Sequence, residues 1–192
     1  VAIIPDLDLI RDDGVIPKLL AAMSVDQTVI RDIQEECRVT AEAIRKVPPT
    51  ITPSEVEEEI WRIETLPKVW HDNDDERLMR QCRGLANRLD RMRRLKPGGI
   101  SAFESEHPAI AWQLQALRQM FWQAGVFIVP VGELESWLSE EFMKDGPSKD
   151  RKQEWADEAA NRIRQRPEKA GAITDFIKQV AAFLAEREIQ ST

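Results

Sequence analysis

Several signals are missing from this 192-residue sequence, and each absence removes a class of protein. No apolar run approaches the roughly 20 residues needed to span a bilayer, and no secretory signal is visible. Cysteine is scarce: Cys37 and Cys82 stand alone, without a CxxC or Cys/His ligand spacing. Both fall on the apolar stripe of a predicted helix, so they read as buried free thiols in a reducing, cytoplasmic compartment rather than as a disulfide or zinc site. Neither His71 nor His107 has a nucleophile or ligand partner in sequence. No G-x-x-x-x-G-K-[ST] loop occurs, which excludes a self-contained P-loop ATPase. Internal repeats and low-complexity linkers are also missing. The net charge of -7 argues against coating nucleic acid by bulk electrostatics. It leaves room for a metal-dependent nuclease, whose carboxylate site is itself acidic until metal arrives.

What is present is the composition of a globular protein, 42% hydrophobic and 32% charged. The length suits one domain, with or without an appended helical lobe. Val1 is not an initiator Met and opens directly into Val1, Ala2, Ile3, Ile4 and Pro5, so the chain reads as a fragment beginning inside a fold. That run and Val126, Phe127, Ile128, Val129, Pro130, Val131 predict strands buried on both faces, as in a parallel sheet. The remainder predicts helices. Ile30, Ile33, Cys37 and Ile44 mark one that stops before Pro48 and Pro49. Thr52, Pro53, Ser54 and Glu55 form a capping box ahead of Val56, Ile60 and Ile63. Leu78, Cys82, Leu85, Leu89 and Met92 define a long helix ending before Pro97, Gly98 and Gly99. Ile110, Leu114, Leu117 and Phe121 follow Pro108, and Gly125 closes that helix. Trp155, Ala159 and Ile163 mark one C-terminal helix, and Ile173, Ile177, Val180 and Leu184 another. The expected fold class is α/β, predominantly helical, with residues 24–106 as a helical insertion between core segments 1–23 and 107–192. Two strands cannot make a stable parallel sheet, so further strands are expected either unrecognised here or beyond these residues.

Two constellations carry candidate chemistry. Asp6 and Asp8 are one residue apart at the end of the first predicted strand, where a period of two aims both carboxylates to one side. Paired carboxylates repel, and a hard divalent cation relieves the repulsion. The bland alternative is a strand exit with Asp8 or Asp12 capping the next helix. The second predicted strand leads into Gly132, Glu133, Leu134 and Glu135, where acids also suit the positive end of a helix dipole.

Together, VAIIPDLDLIRDDG and GVFIVPVGELESWL resemble the Toprim core of nucleases of the OLD (overcoming lysogenization defect) family, over about residues 1–23 and 116–143. The resemblance implies a DNA endonuclease using two Mg2+ or Mn2+ ions, with Asp6, Asp8 and either Glu133 or Glu135 as metal ligands. It also implies a catalytic lysine, for which Lys169 is the candidate ahead of Lys152 and Lys149. The family fuses this domain to an N-terminal ABC-like ATPase, so ATP would act only through residues absent here. A homo-oligomer, DNA as partner and a bacterial anti-phage role follow from the same resemblance. The family's glutamate upstream of DxD has no counterpart after Val1, so this chain alone is expected to be inactive.

Arg77, Arg80, Arg88, Arg91 and Arg94 lie opposite the Leu78 to Met92 stripe, with Arg83, Arg93 and Lys96 nearby, and are candidate DNA-phosphate contacts. A solvated face paired with acids is the competing reading. The run His71 to Glu76 lacks the glycine and spacing of a calcium loop and reads as a helix start. Two other functions compete with the nuclease. IIPDLDLIRDDG also resembles the opening of HAD-type phosphatases, with Asp6 as nucleophile and Asp8 as acid/base, but no hydroxyl residue ends the second predicted strand. The other is a non-catalytic helical interaction or dimerisation module.

Overall fold

The computed structural model describes residues 5, 7–11, 14–65, 74–131, 137–148 and 151–190, with the backbone alone at 8, 74, 96, 97 and 187–190. Its helices are α1 (Val15–Ala22), α2 (Gln27–Lys46), α3 (Pro53–Glu64), α4 (Asp74–Leu89), α5 (Leu95–Gly98), α6 (Ser101–Glu104), α7 (Pro108–Gln123), α8 (Lys152–Gln165) and α9 (Ala172–Gln190). Leu7–Arg11, Arg91–Arg94 and Pro167–Lys169 form 3-10 turns.

The expected Toprim-like parallel sheet is not formed: among the described residues there is no β-strand or sheet. Residues 126–130 are instead an extended, buried segment threaded between helices. Val126, Phe127, Ile128 and Val129 are inaccessible, which is why they read as a strand buried on both faces. Burial on both sides by helices leaves the same apolar signature as burial in a sheet. Val129 N–H donates to the Pro5 carbonyl (3.2 Å) and Ile100 N–H to the Pro130 carbonyl (3.0 Å), so part of the segment's backbone is satisfied by loops.

Helix α2 starts where the Asp26 carboxylate accepts from Thr28 N–H (2.7 Å) and stops at Val47, which is extended ahead of Pro48. Its buried stripe of Ile30, Ile33, Cys37, Ala41 and Ile44 packs on the Ile110, Leu114, Leu117 and Phe121 stripe of α7. Phe103, Leu95, Leu7, Ile16 and Leu20 complete this core. Each fully buried side chain of this size contributes about 1.5–3 kcal/mol by leaving water. A second cluster joins Leu138, Met143, Trp155, Ala159, Ala170 and Ile173. Between the two, Phe127 meets Trp122 (4.7 Å) and Phe183 (5.1 Å) edge-on, and Trp137 meets Phe176 (4.9 Å). Helix α9 therefore buries Ile173, Phe176 and Val180 while Ile177 stays exposed. The aromatic neighbours rotate the contact stripe by one position from the expected one.

The capping box forms as predicted: Glu55 N–H donates to Thr52 Oγ1 (3.3 Å), and Thr52 N–H donates to Glu55 Oε2 (2.8 Å). The long helix through Met92 does not. Helix α4 ends at Leu89, because the Asp90 carboxylate accepts from Met92 N–H (3.0 Å) and starts a tighter turn. Cys37 is buried as expected, whereas Cys82 is exposed. No helix among the described residues is long and apolar enough to cross a membrane.

Candidate functional site

The 3.2 Å hydrogen bond from Val129 to Pro5 joins segments more than a hundred residues apart in sequence. Pro5 immediately precedes Asp6, and Val129 lies four residues before Glu133. Asp6, Glu133 and Glu135 lie outside the described residues, as does the side chain of Asp8. The backbone of Asp8 falls inside the turn Leu7–Arg11, so the period-of-two argument does not extend to it. That turn is fixed from both sides. Leu7 and Ile10 are inaccessible, and Arg11 pairs with Asp90 at 2.7 Å. Among the described residues no group of three or more His, Cys, Asp or Glu is arranged to hold a metal ion.

Gly99 shapes the other side. It sits at φ +56° and ψ −139°, a region open essentially to glycine. A Cβ there would lie 2.0 Å from the Pro130 carbonyl oxygen and 2.6 Å from Val131 Cα. The glycine thus lets α5 end against the backbone that leads into the second acidic run. Gly125, at φ +83°, makes the corresponding turn out of α7.

The arginine series divides. Arg77 and Arg80 are exposed. Arg88 bonds Glu55 (2.8 Å) and Glu59 (3.3 Å) of α3. Arg91 Nε donates to the Val47 carbonyl (3.2 Å). Arg94 is largely buried and lies 3.7 Å from Glu106. The break at Asp90 takes Arg91 and Arg94 off the face that carries the others. Arg77, Arg80 and Arg83 have neither an ion pair nor a side-chain hydrogen bond among the described residues, whereas Arg93 bonds Asn87 Oδ1 at 2.7 Å. Arg118 on α7 carries no signal in sequence. It is half-buried without an ion pair among the described residues, and burial pushes its guanidinium below its usual pKa.

No match to this chain is found among protein-family models, curated proteins or solved structures. The chemistry of its residues therefore has to stand on their geometry. Lys169 is exposed on the turn Pro167–Lys169 and borders an open cleft of about 730 Å³ with Phe142, Glu158, Arg162 and Arg166. Arg162 holds that cleft together. Its Nε donates to Glu158 (2.6 Å), and its Nη1 donates to the carbonyls of Phe142 and Lys144 (2.8 Å each). Arg166 and Lys169, by contrast, project to solvent. His107 lies 3.9 Å from Glu106 and beside the Phe103 ring; His71 lies outside the described residues.

Proposed function

We propose that this chain supplies the acidic half of a divalent-metal-dependent DNA endonuclease centre, as in the nuclease half of an OLD-like ATPase-nuclease. The observation that supports the reading is the hydrogen bond between Val129 and Pro5, which joins the residue before Asp6 to one four positions ahead of Glu133. The parallel sheet of that family is no part of the proposal. Asp6 and Asp8, with Glu133 or Glu135, would hold the ions; an all-carboxylate donor set suits Mg2+ or Mn2+ and poorly suits soft metals. Bound there, such ions stabilise the attacking and leaving oxygens of a phosphodiester. Arg77 and Arg80, exposed and without an ion pair among the described residues, would meet phosphates, and exposed Lys169 would face a negatively charged strand. DNA as substrate, an ATPase region elsewhere in the protein, a cytoplasmic location and an anti-phage role rest on the motif resemblance.

Calorimetry with Mn2+ tests the acids. Binding that Asp6→Ala with Asp8→Ala abolishes is the expected result, and no binding sinks the metal reading. Plasmid nicking by the chain joined to an N-terminal ABC-like ATPase region, lost on Asp8→Ala, tests the nuclease. Turnover of a small phosphate ester without nicking would instead favour the phosphatase. A second reading, a helical interaction module, is favoured by the apolar surface that α3 and α4 leave uncovered.

A further inference from the structure

The backbone of Asp8 is carried by the 3-10 turn Leu7–Arg11, in which residues three apart stand one above another. Leu7 and Ile10 share a face that enters the core and are inaccessible. Leu9 packs against the same core, so the remaining face of the turn holds positions 8 and 11. Apolar burial depends on area and tolerates small rotations. A metal ligand, by contrast, has to stand within about 0.5 Å of its place. Among the described residues, the directional side-chain contact that can hold the turn so closely comes from Arg11. Its Nη2 donates to Asp90 Oδ2 at 2.7 Å, across 79 residues of sequence.

Asp90 is itself anchored. Its Oδ1 accepts from Met92 N–H (3.0 Å) and its carbonyl from Arg93 N–H (3.1 Å). Met92 is buried, and the neighbouring Arg91 Nε donates to the Val47 carbonyl (3.2 Å) just past the end of α2. The Asp90 carboxylate is therefore oriented before Arg11 meets it, which lowers the side-chain ordering cost that makes most exposed ion pairs weak. The pair is also partly shielded, its side chains being 38% and 33% exposed.

We propose that Arg11 is a positioning residue for the metal centre, acting through Asp90 to hold the Asp8 turn in its metal-binding orientation. This role rests on the carboxylate reading of the site given above. A turn released from Asp90 samples other rotations, and its apparent metal affinity falls with the fraction that stays in place. For a partly exposed ion pair the loss is about three- to fivefold. The direction of the change separates positioning from simple charge. A guanidinium beside a cation site repels the cation, so on Coulomb grounds its removal tightens Mn2+ binding. Positioning requires that its removal weaken binding.

Calorimetric titration with Mn2+, beside hydrogen exchange of the metal-free chain, tests this on Arg11→Met, Asp90→Asn and the double variant. Asparagine at 90 keeps an oxygen for Met92 N–H and removes the charge that Arg11 meets. Arg11→Met should bind Mn2+ about three- to fivefold more weakly than wild type, with unchanged far-UV circular dichroism because Arg11 is exposed. In the Asp90→Asn background the same change should weaken binding no further, since the contact is already gone. Without metal, the amides of Leu9, Ile10 and Arg11 should exchange faster in both single variants. Equal or tighter Mn2+ binding by Arg11→Met overturns the positioning role alone, as do unchanged exchange or additive losses in the double variant. A wild-type chain that binds no Mn2+ overturns the carboxylate reading itself, and the positioning role with it.

Discussion

One substitution made at two glycines should move stability in opposite directions. At Gly99, alanine meets two penalties. The backbone conformation, φ +56° and ψ −139°, costs a residue with a Cβ about 1–3 kcal/mol. The new methyl would also sit 2.0 Å from the Pro130 carbonyl oxygen and 2.6 Å from Val131 Cα. These are backbone atoms that cannot swing aside, so the two segments must separate by more than 1 Å and lose the Ile100 to Pro130 hydrogen bond, a further cost of about 1 kcal/mol or more. The sum is about 2–4 kcal/mol, a large share of the stability of a domain. For a chain of this length it lowers Tm by about 4–16 °C. At Gly84, inside α4, an added Cβ meets nothing within 4 Å, and alanine removes the glycine's helix penalty, a gain of about 0.5–1 kcal/mol. Calorimetric or urea unfolding of the two variants is the assay. A Gly99→Ala protein melting within about 2 °C of wild type would refute the close approach of α5 to residues 130–131.

Other outcomes follow from single contacts. The Thr40 hydroxyl is inaccessible and has no hydrogen-bond partner among the described residues, so Thr40→Val should raise stability by about 1 kcal/mol in urea unfolding; a loss would reveal a partner. Arg162→Met removes a guanidinium that bonds Glu158 and two carbonyls, and should cost about 2–3 kcal/mol. Limited proteolysis should then cut first in residues 137–146, and uniform cleavage along the chain would argue against that role. The Asp26 carboxyl lies below its ordinary pKa, chiefly because it accepts the Thr28 N–H, and Glu55 does so chiefly because it accepts the Thr52 N–H. Folded pKa values below the unfolded ones mean that these contributions are full at neutral pH and are lost as pH falls below about 4. Asp26→Asn with Glu55→Gln should flatten the acid limb of the stability curve, and an unchanged limb would contradict the capping roles.

Local chemistry was legible where neighbouring residues suffice. Thr52, Pro53 and Glu55 cap α3 through bonds no more than three residues long, and Pro48 and Gly125 end their helices through their own backbone limits. Buried stripes were legible where a single partner face defines them, as with Ile110, Leu114, Leu117 and Phe121. The break at Asp90 was missed because the apolar spacing from Leu78 to Met92 continues across it, while a carboxylate bound to Met92 N–H ends the helix. The acidic runs were visible in sequence, but the hydrogen bond between Val129 and Pro5 joins distant segments, which periodicity cannot report.

The sequence by itself determined where helices start and stop and which segments must leave water, because capping, proline geometry and apolar spacing act over a few residues. Tertiary structure alone decided what covers those segments. Among the described residues it covered Val126 to Val129 with helices and no sheet, since burial rewards the loss of apolar area and not the kind of neighbour that removes it. It likewise engaged Arg88, Arg91 and Arg94 with Glu55, Glu59, the Val47 carbonyl and Glu106, while Arg77 and Arg80 have no ion pair among the described residues. An arginine's partner depends on which carboxylates or carbonyls the fold carries to it, and that distance is not written along the chain.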